Sequence, residues 1–396
     1  MGCTSHDNFD DSYFNSSFRS FMCLFLAGEC MKDKLKITIC LIPFLVLFYF
    51  SLGSEAYSSE EDKKLEQKPN LTMAELWNGN YAKDYQSYLE DHFPLRTSFR
   101  KIATNVEQAF GIKEKNDVYF GKQDQLVEKT EPQANGKKMI QTLNKVQEKF
   151  NYINSSLMLI PSKSSIYKEY LPDHVSSSEV EEMNELYYNL TINDINLVQT
   201  LTGKKNDYPL YYRTDFTWTS YGAYYAYLEY CEKNDIEPVP MTEYEIKKVS
   251  ETYYGDLYYK TLDGTIPADT IYQFVKDEPK YQVSYTKKEH EKDTFYQNDY
   301  LKQVHKKGFF LGEDDGEITI TNPEVHNGKE LLIVKDDSGN EIVPFLSQHY
   351  EKVYVLNVDE AKNLSDWIKD HEKVTDLLYI ATMNHIDQNN AWLEIR

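Results

Sequence analysis

Cysteine is nearly absent from most of this chain. Of its five cysteines, Cys3, Cys23, Cys30 and Cys40 come first, and Cys231 stands alone in everything that follows. A lone cysteine forms no internal disulfide, so the part beyond Cys40 must be held together by its core. A zinc site built on a cysteine cluster is excluded as well. The nine histidines are scattered and form no His-x-x-x-His pair. Positive charge is in deficit, with 43 Lys+Arg against 64 Asp+Glu and a formal net charge of −21. Such a balance repels nucleic acid and polyanionic membrane surfaces at long range, so no nucleic-acid partner is expected. No sequence period of about 20–50 residues recurs, which excludes a solenoid. What the chain does have is apolar substance. Hydrophobic residues make up 41 %, too many for a disordered chain, and 33 tyrosines and 19 phenylalanines dominate its aromatic content.

Long hydrophobic runs are also lacking, with one exception. Ile37 to Leu52 reads ITICLIPFLVLFYFSL, uncharged and preceded by Lys32, Lys34 and Lys36. At about 1.5 Å per residue a helix of this length, extended by its flanks, just crosses a ~30 Å hydrocarbon core. The lysines predict that this flank stays in the cytoplasm and that everything after Gly53 lies outside. Residues 31–53 are therefore expected to be an uncleaved transmembrane anchor. A cleaved signal peptide is the alternative, since Ser51-Leu52-Gly53 offers small residues at cleavage spacing. Met31-Lys32-Asp33-Lys34 is the more natural start of a targeting segment, so residues 1–30 read as a mis-assigned extension or a disordered tail.

Residues 54–70 are polar and charged, a linker. The remainder, 71–396, reads as one extracytoplasmic domain. Leu71 to Arg100 favours helix, interrupted at Asp91–Arg96, and Asn116 to Gly121 reads as a turn entering a short strand. Leu143, Val146, Phe150 and Ile153 mark an amphipathic helix over Lys137–Ile153, followed by the buried strand Leu157–Pro161. Ser178 with Glu181 predicts a capping box, and Trp218–Cys231 another helix. Around 253–307 the pattern alternates and is rich in tyrosine, a β-rich insertion. From Glu330 onward, apolar segments at Glu330–Val334, Lys352–Val358 and Val374–Thr382 alternate with helical ones at Ile342–His349 and Ala361–His371. That is a βαβαβ unit, which requires parallel strands. Ligands of open parallel sheets sit beyond the carboxyl ends of the strands, here the loop Lys335–Asn340.

Two segments carry the chemistry: Tyr212-Arg213-Thr214-Asp215-Phe216-Thr217-Trp218, and Lys335-Asp336-Asp337-Ser338-Gly339-Asn340 through Val343-Pro344-Phe345-Leu346. With DHFPLR at Asp91–Arg96, VYFG at Val118–Gly121, Tyr254–Tyr258 and PFLSQHY at Pro344–Tyr350, the chain resembles the DHHW family of bacterial extracytoplasmic proteins. These are relatives of the alginate O-acetylation proteins. The resemblance implies a three-layer α/β domain of the SGNH-hydrolase type with a parallel sheet, which the hydrophobic run at Ile37–Leu52 places behind one transmembrane helix. It further implies a serine nucleophile after a sheet strand, with Asp and His two residues apart on the other segment. A serine hydroxyl is a poor nucleophile until an imidazole takes its proton, and a carboxylate fixes that imidazole. The implied reaction is acetyl transfer to, or removal from, a cell-surface polysaccharide. No cofactor is implied; the implied partners are that polysaccharide and a membrane-bound O-acyltransferase.

This chain departs from the pattern at the positions that matter. Where the family reads Asp-His-His-Trp, it has Asp215-Phe216-Thr217-Trp218, with Thr217 at the base position. Counting back without gaps from Asn340 and Pro344 puts Asp337 at the nucleophile position and Ser338 one residue along. Losing base or nucleophile typically removes orders of magnitude of rate. The expected site is therefore a degenerate one at Asp215, Thr217, Asp337 and Ser338, with Arg213, Trp218 and Asn340 available to a ligand and Arg213 also a partner for Asp215. The expected function is saccharide binding, or assistance to polysaccharide acylation. The alternative is an active O-acetyltransferase or acetylesterase that uses Ser338 with a relocated base, for which His385 is best placed. Asp336, Asp337 and Asp215 could instead gather round a cation such as calcium. The crowded Tyr221, Tyr224, Tyr225, Tyr227 and Tyr230 read as core, with sugar stacking as the other use.

Overall fold

In the computed structural model, residues 42, 55–276, 281–287, 290–312 and 316–396 are described. The expected tail at 1–30, and the expected anchor at 31–53 apart from Ile42, lie outside them. Among the described residues no helix is long and apolar enough to cross a membrane. The chain divides into two compact units, Met1–Tyr57 with Lys64–Arg96, and Ser58–Lys63 with Thr97–Arg396. The helical stretch Asn80–Asp91 belongs to the smaller unit.

In the smaller unit, α1 (Asn80–Asp91) lines up Tyr81, Tyr85 and Tyr88 at helical spacing, their rings 5.7 and 5.8 Å apart. Asp91 ends this helix, accepts from the Glu66 amide (2.9 Å) and lies 3.5 Å from Arg96.

After α2 (Arg96–Ala109), the larger unit continues with β1 (Val118–Phe120) and β2 (Leu126–Glu128), then α3 (Gly136–Lys149), β3 (Asn154–Ile160), α4 (Glu179–Tyr188) and β4 (Asn193–Asn196). Next come α5 (Ser220–Lys233), β5 (Glu245–Tyr253), α6 (Asp256–Thr261), β6 (Asp269–Val275), β7 (Gln282–Tyr285), β8 (His290–Lys292) and β9 (Ile318–Thr321). The chain closes through β10 (Glu330–Lys335), α7 (Val343–Leu346), β11 (Lys352–Asn357), α8 (Leu364–Asp370) and β12 (Val374–Thr382). The main sheet has the order β8-β7-β9-β11-β10-β12-β3-β4. Its strands from β11 to β4 are parallel, and β9, β7 and β8 extend it antiparallel.

This mixed α/β architecture follows from strand periodicity. Alternate side chains leave opposite faces of a strand. Leu331, Ile333, Val353, Val355, Leu378 and Ile380 enter one core with Trp218, Tyr227 and Phe345. Leu332, Val334, Leu356 and Leu377 enter the other, against Met139, Leu143 and Val146 of α3 and Ile368 of α8. A strand buried on both faces has to read as a continuous apolar run, as β10 and β12 do.

Tyr224, Tyr225, Tyr227 and Tyr230 of α5 are core, and Tyr221 packs half-buried against it. Tyr230 and Tyr350 join hydroxyls at 2.6 Å, and the Tyr227 hydroxyl meets His349 Nε2 at 2.7 Å. Three local expectations are revised. The β-rich insertion begins earlier, at Glu245, and its later strands β7 and β8 join the main sheet. Ser178 makes no cap, because the Glu179 amide donates to Ser177 Oγ (3.2 Å) and Glu179 turns inward to accept from the Ser162 amide (2.7 Å). The expected helix at 361–371 divides into a 3₁₀ turn, Val358–Asn363, and α8, because Asn357 caps the tighter turn through the Asp359 amide (3.2 Å).

Candidate functional site

Both chemistry-bearing segments fold into tight turns. Tyr211 and Trp218 pair as an antiparallel bridge, so the residues between them reverse direction. Asp215 sits in that reversal and accepts from the Thr217 amide (3.2 Å), the local bond that suits a short carboxylate to turns. Thr219 then caps α5 through the Tyr221 amide (3.2 Å). Asp269 fixes the segment's other side, accepting from the amides of Arg213 (2.7 Å) and Thr214 (2.8 Å). At the end of β10, Asp336 accepts from the amides of Ser338 (2.9 Å) and Thr382 (2.5 Å). One carboxylate thereby shapes the turn and ties β10 to β12.

A cavity of about 530 Å³ opens here, lined by Asp215, Asp256, Asp337, Asn340 and Glu341 among others. Asp215 is wholly buried and accepts a short hydrogen bond from the Tyr253 hydroxyl. Gly255 packs so closely that a Cβ there would collide with the Asp215 side chain. Lys307 Nζ donates to Thr217 Oγ1 (2.9 Å) and lies 3.9 Å from Asp215 Oδ2. Burial alone would raise the Asp215 carboxyl, but the Lys307 ammonium, the Tyr253 hydroxyl and the Thr217 amide outweigh it and hold it below its ordinary value. Burial works against the Lys307 ammonium too, and Asp215, Glu341, Asp256 and Asp337 overcome it, so Lys307 is held charged. An ammonium has three donors and no acceptor, so it cannot take a proton. Glu341 is different: burial pushes its carboxyl up to about 7 against the pull of Lys307. Neither of its carboxylate oxygens has a hydrogen-bond partner among the described residues.

A second cavity, of about 340 Å³, is lined by Phe216, Asp336, Asp337, Ser338, His385 and Trp392 among others. His385 Nε2 lies 2.9 and 3.1 Å from the Glu128 carboxylate oxygens, and Asn384 donates to Glu128 at 3.0 Å. Burial disfavours the His385 imidazolium, yet Glu128 overcomes this and raises it; Glu128 is lowered in turn by its bonds to His385 and Asn384 despite its own burial. No hydrogen bond joins Ser338 to a histidine among the described residues.

Asp215, Asp337 and Asn340 thus line the first cavity, Thr217 is tied to it through Lys307, and Ser338 lines the second. Arg213 lines neither cavity. Its expected pairing with Asp215 is not made, since Lys307 holds that place and the Arg213 Nε has no partner among the described residues. Trp218 is 0 % exposed inside the core and presents no ring face to a ligand. Its role is packing. Asp336 spends both oxygens on amides, so it does not gather with Asp337 and Asp215. No group of three His, Cys, Asp or Glu side chains placed to hold a metal occurs among the described residues. Sequence reasoning missed Lys307, Glu341, Tyr253 and Glu128. Only Tyr253 had a signal, the adjoining Tyr254-Gly255-Asp256 segment.

The family model described as "DHHW protein" matches residues 158–356. No curated protein matches the chain. Among solved structures, a DHHW family protein from Eubacterium siraeum is similar at 23 % identity and a TM-score of 0.61, covering 70 % of this chain and 97 % of that one. Bacillus cereus PatB1 with a sulfonyl adduct is similar at 17 % identity and a TM-score of 0.56, covering 69 % and 96 %. The O-acetyltransferase domain of Pseudomonas putida AlgJ matches at 14 % identity and a TM-score of 0.43, covering 69 % and 92 %. At these identities the first two likenesses are of fold.

Proposed function

This chain belongs to the DHHW family, and from that premise we propose an SGNH-like cell-envelope protein that has lost hydrolase-type catalysis and binds a saccharide. Its polysaccharide ligand, and a membrane-bound O-acyltransferase as its working partner, are what the family resemblance implies. One observation carries the reading. At the base position the Thr217 hydroxyl accepts from Lys307, an ammonium that Asp215 and neighbouring carboxylates keep protonated. With Asp337 at the nucleophile position, neither family position at the Asp215 cavity carries the serine or the histidine that the mechanism needs, and His305, which also lines the cavity, is engaged by Asp62 (3.0 Å). An anchor at 31–53 would put the main domain outside the cytoplasm. Protease added to intact cells should then degrade it, and survival of the full domain would refute that location.

A second reading has its own support. Ser338 and His385 line one cavity, and Glu128 holds the imidazole as an orienting carboxylate would. In that scheme Ser338 Oγ attacks the acetyl carbonyl and passes its proton to His385. The departing alcohol takes that proton, and a sugar hydroxyl or water then receives the acetyl group. The full chain should be assayed for release of acetate from an acetylated glycan, beside its Ser338→Ala variant. The expected outcome is no release above background in either. Release abolished by Ser338→Ala would overturn the degenerate reading in favour of the enzyme.

A further inference from the structure

The cavity around Asp215 is lined by seven carboxylates and two lysines. Neither lysine is at liberty to serve the others. Lys307 is engaged by Thr217 and Asp215. Lys335 is buried and donates to the Asp336 carbonyl (3.1 Å). Asp62 lies 3.0 Å from His305 and Glu360 3.0 Å from Lys287, yet the carboxylates still outnumber the cations, so the cavity carries net negative charge in a partly desolvated space, where a charge interacts more strongly than in water.

Glu341 makes this more than an acidic cluster. It is 1 % exposed, lines the cavity, and has neither carboxylate oxygen hydrogen-bonded among the described residues. A buried carboxyl group without a partner is costly, and buried polar groups are normally satisfied by protein, water or ligand. What it lacks is a donor, and what the surrounding carboxylates lack is enough cations to match them. An ammonium supplies both. Tyr254 and Tyr259 also line the cavity, and tyrosine faces accept either a sugar ring or a cation. The cavity's 530 Å³ falls within the ordinary range of small-molecule sites, about 300–1,000 Å³.

We propose that this cavity recognises a saccharide through a primary ammonium, as carried by an amino sugar without its N-acetyl group. The proposal rests on the saccharide-binding reading and names its ligand class. An N-acetyl group would remove the charge and bring a carbonyl oxygen against carboxylates, so discrimination against the acetylated form follows from the same contacts.

Calorimetric titration of the full chain tests this with three probes: a glucosamine tetramer, an N-acetylglucosamine tetramer and spermidine. The glucosamine tetramer should bind about tenfold or more tightly than its acetylated counterpart, and Glu341→Gln should weaken it by a similar factor, as loss of one member of a buried charge pair does. Asp256→Asn provides a second variant at the cavity edge, and circular dichroism confirms that each variant folds. Equal binding of both tetramers would overturn the ammonium inference and leave the saccharide reading intact. Spermidine bound with neither tetramer would overturn the saccharide reading while upholding ammonium recognition. No binding of any probe would overturn the inference outright.

Discussion

The two cavities at the carboxyl ends of the parallel strands are lined by neighbouring residues of the same two turns, yet they hold opposite chemistries. Asp215 lines one and Phe216 the other; Glu341 and Asn340 line the first and Ser338 the second, while Asp337 lines both. In the first, carboxylates surround an ammonium held charged. In the second, a hydroxyl shares space with an imidazole already oriented by a carboxylate. A displacement of one residue along a turn is enough to move a serine from one environment to the other. Asp215 thus lines one cavity, while a serine and a histidine, Ser338 and His385, line the other.

The sharpest way to break this contrast is to remove the centre of the acidic cavity. Asp215→Ala would leave Lys307 without its nearest counter-ion and the Tyr253 hydroxyl without its acceptor. Breaking a buried pair from one side costs about 3–5 kcal/mol. The urea midpoint should fall accordingly, and a change below about 1 kcal/mol would mean that Asp215 is not what organises the cavity. Glu341 should behave in the opposite sense. Its carboxyl titrates at about 7 in the folded chain against an ordinary value near 4.5, so the folded state binds the extra proton between them. Stability then falls as pH rises through that window. Glu341→Gln should be nearly neutral at about pH 4.5 and stabilising by about 2 kcal/mol at about pH 8. Melting curves at the two pH values decide it, and a variant no more stable at the higher pH would refute the unpaired charge.

The same contrast explains what could be read from the sequence. The strands were legible because burial on both faces leaves an uninterrupted apolar signature; Val374–Thr382 was bounded correctly from it alone. The two polar turn segments were legible too, and Asp215, Asp337 and Asn340 from them line one cavity. Lys307 and Glu128 were not. Lys307 meets Thr217 across 90 residues and His385 meets Glu128 across 257, and local periodicity carries no information about such pairings. The tyrosine-rich insertion was blurred for a related reason. Short antiparallel strands such as β7 and β8 alternate over too few residues to establish their register or their sheet.

The second cavity offers a smaller test of the comparison. His385 is raised by Glu128, so its contribution to stability is present below about pH 6.5 and is lost as pH rises through its folded value. Glu128 is lowered, so its contribution is present above its ordinary value and is lost as pH falls. The pair therefore stabilises most between those limits, in mildly acidic solution. His385→Gln should cost about 2 kcal/mol there, the scale of a charge-assisted hydrogen bond, and less at about pH 9. A cost that does not change with pH would mean that the contact is packing against Phe216, whose ring centroid is 4.3 Å away, rather than an ion pair.

The smallest expected effect discriminates most finely. Ser338 donates its amide to Asp336, but its hydroxyl makes no hydrogen bond among the described residues. Ser338→Ala should therefore shift stability by no more than about 0.5 kcal/mol. Its value lies in a second readout. If the hydroxyl and the imidazole share a cavity without sharing a proton, the His385 titration followed by NMR should have the same midpoint in the variant as in the parent chain. A displaced midpoint would mean that the two groups are coupled. Coupling of that kind is the first requirement of a working nucleophile and base, so it would turn two adjacent residues into one catalytic unit and end the division between the cavities.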